Sequence, residues 1–116
     1  MADQSFHPLK TMNIKELLSR YAAGQRDFRN LNLIAVNLRN MNLSGINLSG
    51  ANMTHANLTR TNLSYANLSD TILASATFVD TNFTQANLTN ANLSDTRVSN
   101  ANLMGANLVG ATMPEK

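Results

Sequence analysis

The residues able to do chemistry in this chain are two histidines, the aspartates Asp70, Asp80 and Asp95, and many serine and threonine hydroxyls. Such groups serve proton transfer, metal ligation or nucleophilic attack, but only when they converge. His7 and His55 stand far apart in unlike segments, so no imidazole pair is assembled. No His-Glu-x-x-His zinc helix, phosphate-binding loop or dinucleotide fingerprint is present. Cysteine is absent, which removes thiolate ligands, thiol nucleophiles and disulfides together. The expectation is a protein that is not an enzyme, with no cofactor, no metal and no small-molecule substrate.

The elements that carry these residues explain why they do not converge. At 116 residues one folding unit is expected. Nothing at the N-terminus reads as a signal peptide, and no apolar run approaches the ~20 residues a bilayer requires. A cytoplasmic protein without membrane contact is therefore expected. The net charge of +2 does not gather in the body of the chain. Arg26, Arg29, Arg39, Arg60 and Arg97 are balanced there by Asp27, Asp70, Asp80, Asp95 and Glu115. With no basic face and few aromatics, direct nucleic-acid binding is not expected.

A period of five governs the sequence from residue 26 onward. Eighteen large apolar residues, from Phe28 and Leu33 through Leu68 to Leu108 and Met113, recur at that spacing without insertion or deletion. Two residues before each centre except Phe28, where Arg26 stands, lies a second row, bulky at Leu31, Val36, Met41 and Ile46 and then Ala or Thr. Asn precedes the central residue in thirteen of the eighteen units, so the unit reads A-N-L-x-x.

This spacing excludes the common elements. On an α-helix a step of five rotates the apolar row by about 140° and smears it around the surface. On a flat strand it moves the large residue to the opposite face at each repeat. What survives is a short extended piece that points the two rows inward and then bends. Coils built this way stack about 4.8 Å apart and pair their backbones along the axis. Small residues beside large ones suit a narrow core that all-large rows would overpack. An all-β solenoid follows.

The A-N-L-x-x unit resembles the signature of pentapeptide-repeat proteins, over residues 26 to 113. That resemblance implies a right-handed quadrilateral β-helix with four units per coil, hence about four and a half coils, with residues twenty apart in one column. The columns hold no regular hydroxyl ladder: 44, 64, 84 and 104 read Ser, Ser, Thr, Met. Turn chemistry accounts for these hydroxyls and for the three aspartates. Arg60 and Asp80 become stacked neighbours, expected to form an exposed ion pair.

The ends differ from the body. Asn13 and Glu16 form a capping-box signal, Ile14, Leu17, Leu18, Tyr21 and Ala22 follow at helical spacing, and Gly24 is placed to stop the helix. Residues 12–24 are thus expected to be a short helix capping the first coil, with 26–115 the β-helix and 1–11 a flexible tail or non-native remnant. No comparable cap follows Met113, so the expected state is a monomer or a weak end-to-end dimer.

The repeat is most irregular from Thr71 to Val79, where Asn is lost twice. Ile72 and Val79 should point outward, and Arg97 lies one coil beyond Thr77. Ile72, Thr77, Val79 and Arg97 therefore mark the expected contact surface for a protein partner. The resemblance implies an interaction scaffold or regulator, as among small cyanobacterial members of the family. It also offers an alternative, a DNA mimic acting on DNA gyrase. The electroneutral repeat and the lack of residues for a C-terminal dimerisation helix argue against that alternative.

Overall fold

The structure is a computed structural model that describes residues 8–115. Its regular elements are short: β1 (Lys10–Thr11), α1 (Ile14–Ala22), β2 (Leu31–Asn32), β3 (Thr81–Asn82), a 3₁₀ turn (Val98–Asn100) and β4 (Ala101–Asn102). The architecture lies in the pairing between them. Parallel bridges join residues twenty apart, from Asp27 with Asn47 to Asn92 with Thr112, and β3 pairs with β4 in the same register. Four five-residue units therefore complete each coil.

Regular units with a coil on both sides repeat the same bonds. The central N–H donates to a carbonyl nineteen residues on, as Leu48 to Asn67 at 2.9 Å, and the preceding N–H donates twenty-one residues back, as Asn67 to Ile46 at 2.9 Å. A third bond, such as Ala66 N to Leu63 O at 3.1 Å, closes the bend. The backbone is thus satisfied along the axis, which leaves the side chains to fill the inside.

They fill it completely. Leu48, Leu68 and Leu88 are each 0% exposed, and the small row from Ala51 to Ala91 is buried beside them. Threonine enters that row because its hydroxyl finds a carbonyl: Thr61 donates to Leu38 O and Thr71 to Leu68 O at 2.6 and 2.7 Å. Among the described residues no buried side-chain nitrogen or oxygen lacks a partner.

The helix closes the first coil. Asn13 caps it by accepting from Glu16 N at 2.9 Å, and Gly24 (φ +103°) ends it, with Gly24 N and Gln25 N donating to Tyr21 O and Arg20 O. Leu17 is fully buried, while Ile14, Leu18 and Tyr21 pack on the core beside the bulky Val36 and Met41. Tyr21 Oη donates to Ser44 O at 2.6 Å, and the Arg26 guanidinium lies 3.7 Å over its ring.

The expected tail needs correction where it is described. Lys10 and Thr11 form β1, parallel to β2 with Lys10 opposite Leu31. The edge of the first coil supplies unpaired backbone groups, and these two residues satisfy part of it without any side-chain pattern. The part of the tail before Pro8 lies outside the described residues.

Candidate interaction face

The surface is set by the corners. The second residue after each centre takes the left-handed conformation, with φ between 54° and 75° at Asn30, Gly45, Tyr65, Asp80 and their counterparts. Asn100 is the exception in the series from 30 to 110. Asp70, Asp80 and Asp95 occupy such corners on three different edges, and His55 occupies a fourth position of the same kind (φ 61°), exposed to solvent. They do not converge.

Thirteen asparagines stabilise these bends. The Oδ1 of each accepts the N–H two residues on, as Asn67 from Ser69 at 3.1 Å and Asn82 from Thr84 at 2.9 Å. Ile72, Thr77, Arg97 and Thr112 cannot reproduce this amide acceptor. At 72 and 77 the bend survives, held by the coils above and below. At 97 it does not.

The unit that starts at Thr96 instead forms a 3₁₀ turn over Val98–Asn100, and Val98 is the only β-branched residue among the eighteen centres. The register pair Thr77–Arg97 is missing from the ladder, and Asp80 N donates to Asn100 O at 2.9 Å, one residue beyond the regular position. A recess of about 330 Å³ opens there, lined by Thr77, Phe78, Val79, Asp95, Arg97 and Asn100 among others. Phe78 forms its floor, edge-on to Phe83 at 5.1 Å between ring centroids.

Three of the four residues marked by sequence, Thr77, Val79 and Arg97, line this recess. Ile72 is not among the lining residues. It bridges regularly to Asn52 and Asn92 on the adjacent side, with 40% of its surface exposed against 41% for Val79. Sequence reasoning noted Arg97 but missed Asn100 and the broken bend. The signal was the loss of Asn together with the single valine centre in one unit.

Other charged groups are local. Arg60 Nε donates to Asn40 Oδ1 at 2.8 Å, which corrects the expected pairing with Asp80. Both neighbours stand in one column, and the neutral amide on the preceding coil takes the guanidinium. Arg29 holds Asp27 at 2.9 Å, and that hydrogen bond lowers the Asp27 carboxyl below its ordinary value. A wider recess of about 660 Å³ lies at the first-coil edge between β1 and the segment Gln25–Leu31. Its Arg20 and Arg29 side chains are already engaged by Glu16 and Asp27.

A filled coil of stacked five-residue units defines a β-solenoid repeat protein. The family profile for pentapeptide repeats matches residues 27–64, 51–90 and 81–115, and the chain belongs to the pentapeptide-repeat family. Its members are in general interaction or structural proteins rather than enzymes, and their solved structures are right-handed quadrilateral β-helices.

Among solved structures, a pentapeptide repeat protein from the thylakoid lumen of Arabidopsis thaliana is 34% identical, with a TM-score of 0.71. That match covers 74% of this chain and 60% of the Arabidopsis chain. HetL from Nostoc, involved in heterocyst differentiation regulation, is 37% identical over 86% of this chain and 46% of its own, with a TM-score of 0.43. A further Nostoc pentapeptide repeat protein is 30% identical over 95% of this chain and 91% of its own, with a TM-score of 0.44. The chain therefore spans less than two thirds of the Arabidopsis protein and of HetL. Comparison with curated proteins finds no match.

Proposed function

We propose that the protein is a non-enzymatic interaction scaffold, about four and a half right-handed coils closed at one end by α1, that presents its outer surface to a protein partner. The observation that carries this reading is the filled interior: both inward rows are buried through the central coils, so recognition is left to outward residues. The contact surface comprises Thr77, Val79 and Arg97 around the recess, with Ile72 on the neighbouring side. The protein acts in the cytoplasm as a monomer or weak end-to-end dimer. Sedimentation as a monomer at high concentration removes the dimer.

The test compares capture of partners from the source cell by the wild-type chain with capture by an Ile72→Asn, Val79→Ser variant. Both positions are partly exposed, so thermal stability should not fall while the captured partner is lost. Undiminished capture would remove this surface. The gyrase-directed alternative is tested by a supercoiling assay, in which no inhibition or protection is expected.

A further inference from the structure

The broken ladder between Thr77 and Arg97 leaves main-chain groups without their regular partners. One coil earlier Leu58 N donates to Thr77 O at 3.0 Å and Thr77 N to Ala56 O at 2.9 Å. The equivalent bonds, Phe78 N to Arg97 O and Arg97 N to Ala76 O, are not formed. In the regular coil these two N–H groups point along the axis toward one another's coil, and Phe78 and Arg97 both line the opened recess. Unpaired main-chain donors in a partly enclosed site are costly until water or a ligand completes them.

The exposed Arg97 side chain adds a third donor group. Among the described residues it makes no ion pair; the two that form are Arg20–Glu16 and Arg29–Asp27. Two main-chain N–H groups and a planar guanidinium match the acceptor geometry of a carboxylate. Beyond the first unit, the three arginines of the coil, Arg39, Arg60 and Arg97, also fall on one side of the rod, with centres at 38, 58, 78 and 98. Asp80 lies on that side and Asp95 on the recess rim. These two carboxylates repel a polyanion such as nucleic acid more than they repel a lone carboxylate held by the three donors.

We propose that this recess binds a single carboxylate side chain from an otherwise uncharged segment of a protein partner, held by Arg97 and by the main-chain N–H groups of Phe78 and Arg97. The proposal rests on the interaction-scaffold reading and names the chemistry of its ligand. Val79, beside the donors, packs against the apolar atoms of the same segment.

The experiment is an NMR titration of the ¹⁵N-labelled full chain with a short blocked peptide bearing one Glu, with its Gln counterpart, and with a short DNA duplex. The Phe78 and Arg97 amide signals should move saturably with the Glu peptide and not with the other two. Arg97→Gln should weaken the response about tenfold, the loss of one charge-assisted contact. Arg97→Asn restores the repeat's own residue, so it should close the bridge to Thr77, raise the thermal midpoint and abolish the titration. Silence of both amides with the Glu peptide, an equal response to the Gln peptide, a stronger response to the duplex, or undiminished titration of Arg97→Asn would each overturn the proposal. None of these results alters the capture comparison with Ile72→Asn, Val79→Ser, so the two readings fail separately.

Discussion

The asparagine before each central residue is the side chain that makes this coil bend. Its Oδ1 accepts an N–H two residues ahead, and the next residue then enters the left-handed region, even where it is Ala35, Tyr65 or Arg60. Left-handed backbone costs a non-glycine residue about 1–2 kcal/mol, and the side-chain bond with the inter-coil bond offsets it. Asn67→Ala should therefore lower the free energy of unfolding by about 0.5–1.5 kcal/mol, measured by urea denaturation. Asp27 is the one carboxyl whose neighbour reaches it in the first unit, through Arg29 Nε at 2.9 Å. Held below the ordinary value, it contributes to stability fully above about pH 4 and loses that contribution as pH falls through its lower folded-state value. A carboxyl NMR titration should place its midpoint below about 3.9, and Arg29→Ala should return it toward that value.

The element whose loss matters most is the lid. Leu17 is the helix side chain that enters the core, at 0% exposed, and Asn13 caps the turn that presents it. Leu17→Ala should cost about 2–5 kcal/mol, and Asn13→Ala about 1 kcal/mol, both read from thermal or urea unfolding. Light scattering should also show Leu17→Asp associating with itself, because a displaced helix exposes the apolar inner row at Val36 and Met41 and the unpaired edge of the first coil. The break at Val98–Asn100 is the opposite kind of element. It replaces one rung of the ladder with a recess.

The whole molecule is a stack in which each coil touches only its neighbours, so protection should follow position along the rod. Central residues such as Leu58, Leu63 and Leu68 are fully buried, whereas Ala101, Leu103, Ala106 and Leu108 in the last coil are only half buried. Hydrogen exchange should therefore be slowest for amides near Leu48–Leu68 and fastest for those near Leu103–Leu108. Leu68→Lys places a charge in the axis between two coils and should unfold or split the stack, seen as loss of the cooperative urea transition. A variant that kept that transition would contradict the packing described here.

Spacing along the chain set the period, the two inward rows, the bend chemistry and the helix, because each is a local pattern that one geometry accommodates. Leu48, Leu68 and Leu88 could be placed in the core, and Asn13 at a helix start, from spacing alone. What happens between coils depends on the folded stack. Lys10 and Thr11 became a strand because an unpaired edge lay beside them. Arg60 bonds Asn40 rather than Asp80. The rung between Thr77 and Arg97 opened where a missing asparagine acceptor coincides with the single valine centre, Val98. Each of these depends on groups twenty or so residues apart meeting across one inter-coil spacing, a balance of hydrogen bonds that no five-residue pattern records.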